Sequence, residues 1–119
     1  MENILVIGAS PNPLRYSYQA VKALLNRNFN VIPLGIRKGN IVNTKIISGK
    51  PQLNNINTIV LYINKQTQNS YNDYMLDLSP KRIVFNPGTE NPELMKKAKE
   101  KGIDVVYDCA LILIHSERF

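Results

Sequence analysis

Short apolar runs alternate along this chain with segments of helical periodicity, and this alternation limits the folds open to it. The runs are rich in Val and Ile and cover residues 3–8, 31–34, 58–63, 82–85 and 103–107. Apolar runs of this length without polar alternation are typical of strands covered on both faces. Because such strands alternate with helical segments, we predict a parallel sheet with right-handed crossover connections.

The helical segments are marked by periodicity and by end signals. Tyr18, Val21 and Leu24 recur at helical spacing within a helix predicted over 17–28. Asn91 suits an N-cap, with Pro92 at the first helical position and Gly102 just beyond the end. A further helix is predicted over 67–78, and a short helix or turn over 110–114. Residues 35–57 are irregular, with a short extended piece at Ile46-Ile47.

The predicted order of elements is β-α-β-β-α-β-α-β-α. It describes an α/β, three-layer Rossmann-like fold with a parallel sheet of about five strands. No linker or internal repeat divides the chain, so we expect a single domain over residues 1–119.

Composition narrows the classes of function. The chain has 15 Lys and Arg against 9 Asp and Glu, a net charge of +6, but these charges are spread along the chain and so disfavour a nucleic-acid interface. No apolar run approaches the roughly 18–20 residues of a membrane helix, and no basic signal-peptide start precedes the first strand. A single cysteine and a single histidine disfavour a metal centre. We expect a cytoplasmic protein with no membrane association.

The loop after the first strand is the strongest candidate site. Ligands of open parallel sheets bind beyond the carboxyl ends of the strands, where the strand order reverses. Gly8 allows a close approach to the backbone, Ser10 supplies a hydroxyl, and Arg15 and Ser17 lie at the start of the following helix. Backbone N–H groups at a helix start favour anions, so the pattern predicts phosphate binding.

The end of the second strand indicates which phosphate ligand to expect. Only Gly8 of a Gly-x-Gly-x-x-Gly dinucleotide motif is present, and Arg37-Lys38 stands where NAD-binding chains usually have an Asp or Glu. Two cations at this place favour a nucleotide with an additional ribose phosphate. The residues therefore indicate coenzyme A or NADP over NAD.

Four stretches of the chain carry a family resemblance. They are Gly8-Ala9-Ser10-Pro11-Asn12-Pro13-Leu14-Arg15-Tyr16-Ser17, Val31-Ile32-Pro33, Lys50-Pro51-Gln52-Leu53 and Val105-Val106-Tyr107-Asp108. Together they resemble the small stand-alone CoA-binding domain proteins, which are similar to the N-terminal domain of succinyl-CoA synthetase α subunits. The resemblance implies a Rossmann-like domain that holds CoA or acyl-CoA by its nucleotide half.

The resemblance also implies a set of binding residues. Gly8, Ser10, Arg15 and Ser17 match positions that line the pyrophosphate, and the predicted site includes Ala9, Pro11 and Asn12 of the same loop. Arg37 and Lys38 match basic positions near the adenosine phosphate. Tyr62 lies where the adenine edge or the pantetheine would pass, and Asn86, Pro87 and Gly88 match the loop that closes over the pantetheine arm.

No combination of residues in the sequence suggests a catalytic centre, so we expect binding without catalysis by this chain alone. An NADP-dependent reductase or redox-sensing module is the alternative, and an interaction module that uses the basic surface ranks below it. A homodimer or a partner protein is left open by the sequence, as are the acyl group and any role of Cys109 or His115.

Overall fold

The computed structural model describes residues 2–119, so Met1 of the predicted domain lies outside the described residues. The strands are β1 (Asn3–Ile7), β2 (Asn30–Leu34), β3 (Asn40–Ile41), β4 (Thr44–Lys45), β5 (Ile56–Leu61), β6 (Arg82–Phe85) and β7 (Asp104–Tyr107). The helices are α1 (Tyr16–Asn26), α2 (Lys65–Gln68), α3 (Asn72–Asp77), α4 (Pro92–Glu100) and α5 (Ala110–His115).

Five strands form one parallel sheet in the order β2-β1-β5-β6-β7. From β1 the chain moves outward to β2 at one edge, and it then returns to the opposite side of β1 to form β5. The strand order therefore reverses between β1 and β5, and a crevice opens there beyond the carboxyl ends of the two strands.

Successive side chains of each strand point to opposite faces of the sheet, and both faces are buried. In β1, Ile4 and Val6 pack in the layer that contains α1 and α5, whereas Leu5 and Ile7 pack in the layer that contains α3 and α4. This explains the unbroken apolar runs, because a strand covered on both sides has no solvent face. The predicted three-layer α/β fold with a five-stranded parallel sheet is confirmed.

The helix predicted over 67–78 is two short helices in the structure, so that prediction was wrong in its continuity. The interruption follows Gln68, which is fully buried. Its Nε2 donates to the carbonyl oxygens of Ile63 (2.8 Å) and Thr89 (2.7 Å), and its Oε1 accepts from Asn91 (2.9 Å). These long-range bonds fix the end of α2, and helical spacing alone does not reveal them.

The segment that the sequence leaves irregular contains a two-stranded antiparallel hairpin of β3 and β4. The extended piece expected at Ile46-Ile47 is present as one parallel bridge between Leu34 and Ile47. Through this bridge the segment pairs with the end of the edge strand β2. Among residues 2–119, no helix has both the length and the apolar character needed to cross a membrane.

Candidate functional site

A cavity of about 540 Å³ lies at the crevice between β1 and β5. Its floor contains Ile7 and Gly8 from the end of β1, and Tyr62 and Ile63 from just beyond β5. Ligand pockets in proteins typically occupy about 300–1,000 Å³ and favour such switch points. The cavity is therefore the principal candidate for a binding site in the described part of the chain.

Two glycines allow the loops around this cavity to approach each other closely. Gly8 has a φ of +96°, and a Cβ added to it would lie 2.9 Å from the carbonyl carbon of Tyr62. A Cβ added to Gly35 would lie 2.1 Å from the carbonyl oxygen of Ala9. The loops after β1, β2 and β5 thus meet at backbone distance, which leaves no room for a side chain at either position.

The loop after β1 is held by hydrogen bonds within the chain. The N–H groups of Gly8 and Ala9 both donate to the carbonyl oxygen of Leu34 at 2.9 Å, so neither is free for a ligand. Ser10 Oγ accepts from the N–H of Asn12 at 3.1 Å, which leaves its own proton available. Asn12 Oδ1 accepts in turn from the N–H of Leu14 at 3.0 Å. The loop is thus a fixed turn that leads into α1.

The N-terminus of α1 opens into the cavity, and its amides are unsatisfied. Arg15 is the N-cap and makes no side-chain capping bond. Within residues 2–119, the N–H groups of Tyr16, Ser17 and Tyr18 have no acceptor. By contrast, α2 and α4 are capped by Asn64 and Asn91, which accept from the third residue beyond them.

Arg15 also places a positive charge at this helix start. A cation at the N-terminus of a helix is opposed by the helix dipole, and the first turn of α1 has no acidic residue. Arg15 nevertheless lines the cavity there, as does Arg37 from the loop after β2. Neither guanidinium forms an ion pair within residues 2–119, and the cavity wall contains no acidic side chain. The site is therefore an unneutralised positive hollow.

The structure brings most of the predicted binding residues together. The cavity wall includes Gly8, Ala9, Ser10, Asn12, Arg15, Ser17, Arg37 and Tyr62. The predicted residues outside the wall are Pro11, Lys38, Asn86, Pro87 and Gly88. Pro11 instead lies against the loop after β2, because a Cβ added to Gly39 would be 2.7 Å from the Pro11 Cβ.

Asn86 lies outside the cavity wall, and its side chain bonds to the backbone of two other elements. It is buried, and its Nδ2 donates to the carbonyl oxygen of Leu61 at 2.8 Å while its Oδ1 accepts from the N–H of Ala110 at 2.8 Å. Both polar groups of its side chain thus join β5, β6 and the start of α5. Asn86 is absent from the cavity wall, although its amide is close enough to Tyr62 to act against the rise of the Tyr62 pKa.

Several residues of the wall were missed by sequence reasoning. Ile36 is 92% exposed at the rim, and Ile63, Thr67 and Tyr71 form the opposite side. Lys50 Nζ lies 5.3 Å from the centre of the Tyr71 ring, which brings a further cation to this side. The isoleucine next to Arg37 in the loop after β2 was the available sequence signal for Ile36. Tyr71 gave no such signal, because its helical spacing assigns it to the buried face of a predicted helix.

Among the titratable residues of the cavity wall, Tyr62 has the pKa that is most strongly shifted by its surroundings. Its pKa is raised, first by burial and second by the neighbouring Cys109. Its hydroxyl has no hydrogen-bond partner within residues 2–119. This phenol is therefore protonated at all physiological pH values.

Cys109 and His115 do not form a joint site. Cys109 is half-buried at the N-cap of α5, and His115 is exposed at the other end of the same helix. Residues 2–119 hold no group of three or more His, Cys, Asp or Glu placed to bind a metal ion.

Comparisons with known proteins identify the family and the fold of the chain. The sequence model of a family described as CoA binding domain matches residues 2–115. No curated protein gives a significant match. A crystal structure of an uncharacterized protein is 40% identical, with a TM-score of 0.95, and the alignment covers 100% of this chain and 98% of that one.

More distant structures share the fold. A hypothetical protein from Pyrococcus horikoshii OT3 is 25% identical with a TM-score of 0.83, over 96% of this chain and 81% of that one. The cell-free protein ID.343 from Thermus thermophilus is 22% identical with a TM-score of 0.86, over 99% and 90% of the two chains. On the match over residues 2–115, the chain belongs to the CoA binding domain family.

Proposed function

We propose that this chain binds coenzyme A or acyl-CoA in the cavity between β1 and β5 and does not itself catalyse a reaction on it. The observation that carries the proposal is that the uncapped α1 N-terminus and two arginines, Arg15 and Arg37, which form no ion pair within residues 2–119, line the same cavity. An anionic ligand would satisfy the free amides and neutralise the charge at the same place.

The pyrophosphate belongs at the start of α1. The N–H groups of Tyr16 and Ser17 point along the helix axis toward its N-terminal end, where anions are stabilised. Ser10 retains a free hydroxyl proton, and Ser17 brings a second hydroxyl to the cavity wall. Arg15 adds a charge-assisted donor. These groups supply more donors than one phosphate needs, which suits a pyrophosphate.

Arg37 is proposed to bind the ribose phosphate. It lies in the wall after β2, the position that distinguishes a free ribose diol from a phosphorylated one. Lys38 follows it outside the wall and contributes only a longer-range attraction. The lack of an acidic side chain in the wall disfavours NAD, whose ribose hydroxyls are usually bound by a carboxylate.

The apolar side of the cavity suits the adenine. Ile36 and Ile63 offer aliphatic contacts, and Tyr71 offers an aromatic ring close to Lys50. A flat base has faces that pack on such groups. The pantetheine arm would then leave past Tyr62 toward the loop of Asn86, Pro87 and Gly88.

Calorimetric titration of the whole chain with CoA tests the proposal. Replacement Arg15→Ala or Arg37→Ala should weaken CoA binding by about 1–3 kcal/mol for each lost charged bond, with little change in melting temperature. Lys38→Ala should have a smaller effect, because this side chain lies outside the wall. Lys101→Ala, at the far end of α4, is the matched control for net charge and should leave the affinity unchanged.

Two outcomes would overturn the proposal. One is no heat of CoA binding at millimolar ligand. The other is a large fall in melting temperature for Arg15→Ala or Arg37→Ala with unchanged affinity, which would make these arginines structural. Tight binding of NADPH without CoA binding, followed by the fluorescence of the nicotinamide, would support the reductase or redox-sensing alternative instead.

A further inference from the structure

Tyr62 lines the cavity, and its hydroxyl is a buried polar atom. Among the buried side-chain nitrogen and oxygen atoms of residues 2–119, Tyr62 Oη is the single one without a hydrogen-bond partner. A buried hydroxyl without a partner destabilises the fold, because it has lost its hydrogen bonds to water and forms none within the protein. A phenylalanine would fill the same space without that cost. The tyrosine therefore calls for an acceptor from outside the chain.

The neighbouring polar groups do not accept the Tyr62 proton. Asn86 bonds to Leu61 and Ala110, and its amide is close enough to Tyr62 to act against the rise of the Tyr62 pKa, but the Tyr62 hydroxyl has no hydrogen-bond partner within residues 2–119. The backbone N–H of neighbouring Cys109 donates to Asp108 Oδ1 at 2.8 Å. Because Tyr62 also lines the 540 Å³ cavity, a ligand in this cavity would lie next to this residue.

The position of Tyr62 in the layers indicates which part of a ligand it meets. Tyr62 packs in the layer of α1 and α5, whereas Ile63 and Tyr71 pack in the layer of α3 and α4, on the other face of the sheet. The apolar wall proposed for the adenine contains Ile63 and Tyr71, so Tyr62 lies on the side of the sheet away from it. The cations are at the rim and at the start of α1, so a phosphate is better held there.

We propose that Tyr62 Oη donates a hydrogen bond to an amide carbonyl of the pantetheine arm and so selects ligands that carry this arm over the bare nucleotide. The inference rests on the proposed function, and it assigns a specificity role to a hydroxyl that the phosphate-binding residues do not require. A neutral phenol matches a neutral carbonyl, because neither partner then has to be buried as an ion.

The test compares Tyr62→Phe with the unmodified chain in two titrations, one with CoA and one with adenosine 3′,5′-bisphosphate. Loss of one neutral hydrogen bond should reduce CoA affinity about five- to tenfold. The affinity for adenosine 3′,5′-bisphosphate, which has no pantetheine arm, should change less than about twofold. The ligand-free Tyr62→Phe chain should melt at or above the temperature of the unmodified chain, because the orphaned hydroxyl is gone.

Tyr74→Phe is the matched control. Tyr74 Oη donates to the carbonyl oxygen of Pro51 at 2.6 Å and lies outside the cavity wall. Its loss should therefore lower the melting temperature and leave both affinities unchanged.

The results separate the two proposals. If the unmodified chain binds CoA but Tyr62→Phe binds it equally well, or weakens both ligands alike, the role of Tyr62 is overturned and the proposed function stands. A clearly lower melting temperature for ligand-free Tyr62→Phe would also overturn it, because the hydroxyl would then have a partner within the chain. If the unmodified chain binds no CoA, both proposals are overturned.

Discussion

Gly35 is the position where a single methyl group would most disturb the site. It directly follows β2 and passes so close to Ala9 that an added Cβ would meet the Ala9 carbonyl oxygen at 2.1 Å. The obstacle is backbone rather than a flexible side-chain end, so the loops after β1 and β2 would have to separate. The same loops carry Ser10 and Arg37, which the proposed ligand requires at fixed positions.

We therefore expect Gly35→Ala to lower the free energy of unfolding by about 3 kcal/mol and to weaken CoA binding as well. Chemical denaturation measures the first effect and calorimetry the second. Gly49→Ala is the control, because Gly49 has a φ of +78° but nothing within 4 Å of an added Cβ. It should cost about 1 kcal/mol through its backbone alone and should leave CoA affinity unchanged. Equal losses of stability for the two variants would contradict the close-approach argument.

At the scale of elements, α1 is the helix whose start is least favourable for its own stability. Arg15 at the N-cap supplies no capping bond, and its charge opposes the helix dipole. The N-terminus of α1, at the cavity, therefore lacks a side-chain cap. The N-terminus of α4 is capped by Asn91, which also donates to Gln68. Such a local cost is typical of an element whose exposed amides serve a ligand.

Replacement Arg15→Ser should separate stability from binding. A serine N-cap typically stabilises a helix by about 1 kcal/mol, so the ligand-free chain should become more stable while CoA affinity falls. Denaturation curves and calorimetry on the same sample measure both changes.

The contrasting variant is Asn91→Ala, which should lower the free energy of unfolding by at least about 1–2 kcal/mol without changing CoA affinity. If Arg15→Ser instead destabilised the chain, the view of Arg15 as a functional rather than structural cap would fail.

At the scale of the whole molecule, burial of Tyr62 makes the free energy of unfolding depend on pH in the alkaline range. The pKa of Tyr62 is raised in the folded state above its ordinary value of about 10. Below about pH 10 the phenol is protonated in both states, and the group adds no pH dependence. As pH rises further, the unfolded chain loses this proton first, so the folded state loses stability until its own pKa is passed.

The free energy of unfolding should therefore fall by up to about 1.4 kcal/mol per pH unit above pH 10 through Tyr62 alone. Denaturation at several pH values between 9 and 11 should show a shallower fall for Tyr62→Phe than for the unmodified chain. Identical pH profiles for the two proteins would mean that the phenol is hydrated in the folded state.

The sequence by itself determined the five strands of the parallel sheet, most of the helices and the loop that enters α1, but not the hairpin of β3 and β4. These features depend on apolar periodicity, on N-cap residues such as Asn91 and on the position of Arg15 at the start of the helix that follows the first strand, all of which are local. The break after Gln68 was not determined in this way, because it depends on bonds to residues as distant as Asn91.

Only the tertiary structure decided which residues face the cavity. It separated Arg37 from its neighbour Lys38, committed the Asn86 amide to Leu61 and Ala110, and added Tyr71 from across the crevice. The physical reason is that a wall is made where loops from non-adjacent segments meet, and the direction of each side chain there is set by packing rather than by local pattern. The missing partner of the Tyr62 hydroxyl likewise becomes apparent only when every neighbour has been positioned.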